Sequence, residues 1–364
     1  MAGPDPFAVI EIEPPELPDS DILQVLRDQY GLAVRLEALL GERDQNFRLR
    51  CEDGRDFVLK IANPAEDRLA TEFQIEALLH LEEYQASHDC PVGVPRILRT
   101  LDGRPSIDIA SAGKEYLARV MTFLRGRPLG DTPPSPLLCR RLGSSLAHLG
   151  RALRDFQHPG SGHGLLWDMQ QALELRKILE HVPRPQLRQD IAKTLDEFEA
   201  FALPRFSELR SQVIHSDLNP DNVLVDVEDP EEVAGIIDFG DMLKAPLIVD
   251  VAIGASYMRV LDGDPLSKIA EFLSAYHKVT PLDLAEIDLL FDLIKTRLAA
   301  TVTILSWRVT LRGAEDPYLR DVLASEGNAA KFLKILLGMP REHARRVFRQ
   351  VCASADAGTM SNTD

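Results

Sequence analysis

Four cysteines in 364 residues, none in a CxxC spacing, exclude a disulfide framework and a structural zinc site. Cys51, Cys90, Cys139 and Cys352 read as reduced thiols of a cytoplasmic protein. Basic residues are also in short supply. Against 57 acids stand 41 lysines and arginines, a net charge of −16. That argues against nucleic acid as a partner, because a phosphate backbone needs a basic face, and it suits a cationic substrate. Long apolar runs are missing too. The longest, near Leu298 to Trp307, is broken by threonines and too short to span a bilayer, so no membrane is expected. The start, MAGPDPFAVIEIEPPELPDSD, is acidic and Pro-rich and lacks the basic, apolar pattern of a signal peptide. No internal repeat is visible, and between Leu40 and Leu49 there is a single glycine, Gly41, so a multi-glycine phosphate loop is excluded. What remains is an ordinary globule: 45% hydrophobic residues and a mean hydropathy of −0.11, with length for one large or two medium domains.

The richest segment runs Val213-Ile214-His215-Ser216-Asp217-Leu218-Asn219-Pro220-Asp221-Asn222-Val223-Leu224-Val225-Asp226, followed by Ile236-Ile237-Asp238-Phe239-Gly240-Asp241. Val223 to Val225 and Val233 to Ile237 read as strands around a polar turn, Glu228-Asp229-Pro230-Glu231. A hairpin centred on Pro230 sets Asn222 opposite Asp238, and the loop at Asn219-Pro220 lets Asp217 overhang them. One carboxylate to orient a hydroxyl, with an amide and a carboxylate to hold Mg²⁺, is what a nucleotide-dependent phosphotransferase needs. The plain alternative makes Asp217 and Asn222 turn residues and Asp238 a strand end. The joint occurrence of His-x-Asp-x-x-x-x-Asn, hairpin and Asp-Phe-Gly weighs against it.

Upstream, residues 1–21 read as an arm, with Ser20 capping a short helix that ends before Gly31. Asn46 to Cys51 and Arg55 to Ile61 form a hairpin that puts Lys60 opposite Asn46, beneath the segment Gly41 to Phe47. A helix from about Glu66 to Glu83 turns Leu69, Phe73, Ala77, Leu78 and Leu81 inward. Its Glu72 and Glu76 share a face, and either could reach back to Lys60. Strands are expected at Arg96–Thr100 and Tyr116–Thr122. The latter runs into a linker with Phe123, Leu124, Gly126 and Pro128. Helical patterns then dominate, and the last dozen residues, 353–364, read as a disordered tail. The fold class is α+β, a strand-rich domain over 22–123 and a helix-rich one over 124–352, with a cleft between them as the default ligand site.

The string "VIHSDLNPDNVLVD…GIIDFGDM…PLIVDVA" resembles the aminoglycoside phosphotransferase and choline kinase family, which has a protein-kinase-like two-lobed fold, over roughly residues 22 to 310. "GERDQNFRLR…DFVLKIAN…EFQIEALLHL" and the "IDFGDM" ending resemble its hydroxylysine kinase branch. The resemblance implies Asp217 as catalytic base and Asn222 and Asp238 as Mg²⁺ ligands. It implies Lys60 on the α- and β-phosphates, oriented by Glu72 ahead of Glu76. Asn46, Phe123 and Leu124 would line the nucleotide, ATP or GTP. His215 would brace the catalytic loop, and Asp250 would accept bonds from its backbone, unless it is a helix N-cap. The family often has Gly where this chain has Ser216. The expected reaction is phosphoryl transfer to a hydroxyl of a small amine-bearing metabolite, hydroxylysine-like, by a monomer or homodimer. Asp241 is a candidate for the amine, and Arg297 and Arg308 for a carboxylate. An aminoglycoside or choline/ethanolamine-type phosphotransferase, or a silent nucleotide-binding scaffold, are the alternatives.

Overall fold

The computed structural model describes Phe7 and residues 14–111, 113–130, 134–313 and 317–360, without the side chains of 317–326 and 358–360. The chain forms two compact units. The first gathers residues up to Asp89, Gly93–Arg125 and Phe156–Gly164. The second gathers Cys90–Val92, Gly126–Asp155 and everything from Leu165 onward. The boundary at Arg125 falls two residues past the expected one, and Phe156–Gly164 returns to the first unit. Phe156 stacks on Phe73 there, with centroids 5.8 Å apart.

The first unit opens with α1 (Asp19–Tyr30). Asp19 and Asp21 sit in its first turn and Arg27 in its last, each sign matched to the helix dipole. Ser20 lies inside the helix and bonds Asp21; the N-cap is Pro18, which offers no side-chain bond, so the expected Ser20 cap is not formed. The stop is as expected: Gly31 takes φ 66° and donates to Arg27 O, a conformation open to glycine without a Cβ penalty. Next come β1 (Val34–Leu39), β2 (Gln45–Cys51) and β3 (Asp56–Ile61), then α2 (Arg68–Ser87), β4 (Ile97–Leu98), β5 (Ile107–Ser111) and β6 (Lys114–Thr122). All pairs are antiparallel, in the order β1-β2-β3-β6-β4, with β5 also on β6. β1 (VRLEAL) and β5 (IDIAS) alternate apolar and polar residues but were not among the expected strands. Strand β3 buries Phe57, Leu59 and Ile61 in turn, and they pack with Ile22 and Leu26 of α1 and Val120 of β6. Val58 and Lys60 alternate to the other face. Along α2, Phe73, Ala77, Leu78 and Leu81 are buried as the pattern predicts, but Leu69 is exposed, because it sits in the first turn.

In the second unit, β7 (Arg127–Pro128) pairs with β9 (Val223–Val225), which pairs with β10 (Val233–Ile236). A separate ribbon joins β8 (Ser211–Ile214) to β11 (Leu243–Pro246). Around these lie α3 (Pro136–Ala152), a 3₁₀ run over Met169–His181, α4 (Pro185–Glu197) and α5 (Leu247–Ala255). Helices α6 (Ser267–Val279), α7 (Leu284–Arg312), α8 (Pro317–Leu337) and α9 (Arg341–Met360) follow. Gly143 of α3 sets how closely α3 meets α6: a Cβ there would fall 2.1 Å from Phe272 O. Helix α7 starts at a capping box between Asp283 and Glu286 and is buried on nearly all sides from Glu286 to Arg308. Its charges are therefore matched: Lys295 with Glu197 at 2.6 Å, Asp292 with Arg341 at 2.9 Å. The tail expected at 353–364 is corrected: α9 runs to Met360 and buries Cys352 and Ala355, while 361–364 lie outside the described residues. Small apolar residues on one helical face outweigh the polar look of that string. Among the described residues no helix is long and apolar enough to cross a membrane.

Candidate functional site

The loop between β8 and β9 carries the chemistry. It is shaped by Asp250, in the first turn of α5, whose N-cap is Pro246 rather than Asp250. Asp250 accepts the backbone N–H of His215 at 3.2 Å and of Ser216 at 2.9 Å. His215 has Nε2 3.1 Å from Ile237 O, and its Nδ1 accepts the Asp217 N–H at 3.3 Å. That pairing assigns the neutral Nε2–H tautomer, and burial lowers the His215 pKa in the same sense. Ser216 has φ 65°, a left-handed backbone that costs a non-glycine residue strain.

Every oxygen of Asp217 is engaged. Oδ1 accepts from Arg297 Nη2 at 3.0 Å; Oδ2 accepts from Asn219 Nδ2 at 2.9 Å and Asn222 Nδ2 at 2.7 Å. Burial raises the Asp217 pKa first; the charges of Asp241 and Asp238 add to the rise and Arg297 opposes it. Asn222, whose amide nitrogen also donates to Asp217 O at 3.0 Å, keeps its Oδ1 as an acceptor for a cation. Asp238 is exposed, at φ 58°, with Oδ1 accepting the Gly240 N–H at 3.2 Å, and Asp241 is buried.

The hairpin register is one residue from the symmetric one. Ile236 faces Val223, and the Ile237 N–H donates to Asn222 O at 2.9 Å, so Asn222 stands opposite Ile237 rather than Asp238. Next to the turn Val233 faces Val225, a pairing centred on Asp229, and a bulge between Val233 and Gly235 then shifts the register one residue toward the symmetric one. Asp238 follows immediately beyond the last ladder bond, and the like-charge effect on Asp217 places it in the same neighbourhood.

The donor set can be tested against a divalent cation. The carboxylates of Asp241 and Asp238 push the Asp217 pKa up, and Arg297 opposes them. Among the described residues no three His, Cys, Asp or Glu groups gather as a metal cluster. One amide oxygen and one carboxylate suit a hard cation that takes its other ligands from phosphate and water. The residues fit Mg²⁺ bound together with a nucleotide.

In the first unit, Asn46, Lys60 and Arg119 are successive cross-strand partners on β2, β3 and β6 and so share one sheet face. Lys60 Nζ is 3.8 Å from Asp44 Oδ2. The orienting acid is corrected: Glu72 bonds Arg68 at 2.9 Å on the surface, and Glu76 lies 3.6 Å from His158. The acid at Lys60 is Asp44, and close to Asp44 lies Glu66, whose pKa burial raises first and Asp44 next. Arg119, buried and bonded to Gln74 Oε1 at 2.5 Å, leaves Nε and Nη1 without hydrogen-bond partners. Neither Glu66 nor Arg119 stood out in the sequence, since each looks like a surface charge until the sheet register is known. Gly41 closes the preceding turn: a Cβ there would sit 2.2 Å from Asn46 Nδ2 and 2.5 Å from Asp44 O. Phe123 and Leu124 are half-buried, and the Arg48 guanidinium lies 3.9 Å from the Phe123 ring centroid.

Helix α7 supplies Arg297, and Arg308 reaches the same indole, Trp167. Tyr257 lies beside Arg297 and, with Asn219, lines a cavity of about 460 Å³ in the second unit. Trp167 and Tyr257 had no motif to mark them.

A family model, the phosphotransferase enzyme family, matches residues 35–289. The chain is 27% identical over 376 residues to hydroxylysine kinase of Xenopus laevis, covering 97% of this chain and 99% of that one. It is 30% identical over 252 residues to homoserine kinase of Rhodopseudomonas palustris, covering 68% and 70%. Among solved structures, amicoumacin kinase in complex with AMP-PNP, Ca²⁺ and Ami superimposes with a TM-score of 0.65 at 17% identity, covering 89% and 95%.

Proposed function

The chain belongs to the phosphotransferase enzyme family, and from that premise we propose that it moves the γ-phosphoryl group of ATP or GTP onto the hydroxyl of an amine-bearing small metabolite, hydroxylysine-like. It is a small-molecule kinase, and its fold is the protein-kinase-like one of that family. The observation that carries the reading is Asp217. This carboxylate is held by Arg297, Asn219 and Asn222 on a strained loop, beside Asp238 and Asp241.

In this reading Asp217 accepts the proton of the acceptor hydroxyl as its oxygen bonds to the γ-phosphorus and the bond to the β–γ bridging oxygen breaks. Arg297 and the two asparagine amides fix which way the carboxylate faces. Lys60 contacts the α- and β-phosphates, with Asn46 and Arg119 on the same sheet face. Asn222 Oδ1 and Asp238 would hold Mg²⁺, which supplies charge neutralisation on the phosphates. His215 and Asp250 hold the loop in place and do not touch substrate. Asp241 offers a carboxylate to the acceptor ammonium. Phe123 and Leu124 stand at the nucleotide base. The large unmatched negative charge favours a cationic group on the acceptor. A cytoplasmic enzyme is the natural setting, since nucleoside triphosphates are found there. Two relatives along much of the chain carry the names of kinases of amino acids, which supports an amino-acid-like acceptor.

The test is nucleoside diphosphate release with Mg²⁺ across hydroxy amino acids, amino alcohols and aminoglycosides. Release that depends on hydroxylysine or a close analogue supports the reading. Release with aminoglycosides alone, or with no acceptor in the set, contradicts it.

A further inference from the structure

Phosphates resting on Lys60 fix where the rest of the donor must run. On β3, Val58 and Lys60 turn to one face of the sheet, and Phe57, Leu59 and Ile61 turn to the other, into the core. Across the ladders, Asn46 of β2 and Arg119 of β6 flank Lys60, while Arg48 and Met121 flank Val58. Strand β3 ends one residue past Lys60, at Ile61, so the sheet extends only on the Val58 side. From the Lys60 row to the Val58 row is roughly 7 Å, room for a ribose. The linker lies further the same way. Phe123 follows Thr122, the partner of Phe57, and donates its backbone N–H to Asp56 O at 3.2 Å. A base joined to phosphates at Lys60 therefore meets Arg48, Val58, Met121 and Phe123.

Arg48 is held ready at that row. Its guanidinium lies over the Phe123 ring, 3.9 Å from the centroid, and its Nε donates to Asp56 Oδ2 at 3.2 Å. Asp56 thus fixes both partners, Arg48 through its side chain and Phe123 through its backbone. Glu37, opposite Arg48 on β1, is bonded to Arg50 at 2.6 Å. The Arg48 charge is matched by Asp56 close by, and a matched ion pair projects little field onto phosphates one row away. What Arg48 offers a ligand is shape. A guanidinium is planar and stacks on aromatic rings, and it has two faces. Phe123 takes one of them, and 23% of the side chain stays accessible despite that packing.

We propose that Arg48, set by Asp56 and flanked by Phe123, is a stacking platform for the base of the donor nucleotide and favours a purine over a pyrimidine. The proposal rests on the kinase reading above. A base stacked on a planar cation gains with the area of its ring system, so the purine bicycle gains more than a single pyrimidine ring. The platform reads the face of the base and not its edge, and so treats adenine and guanine alike.

The experiment titrates the full chain by calorimetry, with Mg²⁺ present, against ADP, GDP, UDP and inorganic tripolyphosphate. It uses the wild type, Arg48→Ala and Arg48→Lys. The wild type is expected to bind the purine diphosphates at least about tenfold more tightly than UDP. Arg48→Ala is expected to weaken them by about tenfold or more and to bring them within about threefold of UDP. Tripolyphosphate, which has no base, should change by less than about threefold. Arg48→Lys keeps the charge and loses the plane; it should lose part of the purine preference, and it carries the comparison if Arg48→Ala fails to fold. Purine affinity in Arg48→Ala within about twofold of wild type overturns the platform. So does an equal loss for tripolyphosphate, because that is a charge effect and not a stack. A wild type that binds UDP as tightly as ADP and GDP overturns it as well. In all three cases Mg²⁺-nucleotide still binds and the kinase reading stands. If the wild type binds no nucleotide and releases no diphosphate with any acceptor, the kinase reading falls, and the platform with it.

Discussion

Asp217→Asn changes one oxygen to an amino group and almost no volume. The wild-type carboxylate accepts three side-chain donors, at 3.0 Å from Arg297, 2.9 Å from Asn219 and 2.7 Å from Asn222. An asparagine has one acceptor oxygen. If it faces Asn219 and Asn222, its amino group points at Arg297, donor to donor; if it turns over, it meets the two amides instead. Two losses follow. General base catalysis, worth about 10²–10⁴-fold or roughly 3–5 kcal/mol, disappears from the turnover step. A buried guanidinium also loses its carboxylate. That costs about 2–3 kcal/mol of stability, discounted from a fully buried pair because Asp217 keeps 19% of its side-chain exposure. Mg²⁺-nucleotide affinity should be unchanged or tighter, since a negative charge beside the phosphates has gone. The assay pairs steady-state diphosphate release with calorimetric nucleotide titration, both run well below the thermal midpoint of the variant. A variant that binds nucleotide but turns over at least about 100-fold more slowly is the expected result. Turnover within about tenfold of wild type would refute Asp217 as the base.

Ser216→Gly removes the left-handed strain at φ 65°; activity should persist and stability should be equal or up to about 1 kcal/mol higher by thermal unfolding, a clear fall contradicting the strain. Gly143→Ala drives a Cβ against Phe272 O, 2.1 Å away, and should cost about 1–3 kcal/mol in denaturant titration with the active-site residues untouched. Gly41→Ala collides with Asp44 O at 2.5 Å and should raise the nucleotide KM more than the acceptor KM; the reverse pattern would place that turn elsewhere. Burial pushes the Cys139 thiol up to about 11 and the Cys352 thiol up to about 12. Both should resist thiol reagents at pH 8 until the protein unfolds, while the half-exposed Cys90 reacts in the native state.

Much of this was legible because local signals agreed. The alternation of Phe57, Leu59 and Ile61 with Val58 and Lys60 fixed the face of β3, and the tight turn at Glu52-Asp53-Gly54 set Lys60 against Asn46, the register observed. The turn after β9 gave the two strands but not their offset. The strands pair about Asp229 rather than Pro230 next to the turn, and a bulge between Val233 and Gly235 recovers one residue of that difference. The acid at Lys60 was misjudged for a different reason. Helical spacing finds which residues share a face, but Glu72 is captured by Arg68 one turn earlier, and the acid beside Lys60 is Asp44, in the turn before β2. The α9 segment was mistaken for a tail because Ala and Ser carry no strong pattern, and only the packing of Cys352 and Ala355 reveals a buried stripe. Arg297, Arg308 and Trp167 lie more than a hundred residues apart at their extremes, so no motif could join them. Their convergence is a property of the helical unit alone.

Mass and ³¹P analysis of the product formed from hydroxylysine with Mg²⁺ and ATP or GTP tests the central claim most directly. A phosphomonoester on the hydroxyl, formed by the wild type and lost in Asp217→Asn, is the predicted result. Unmodified hydroxylysine, or phosphate on nitrogen, would contradict it.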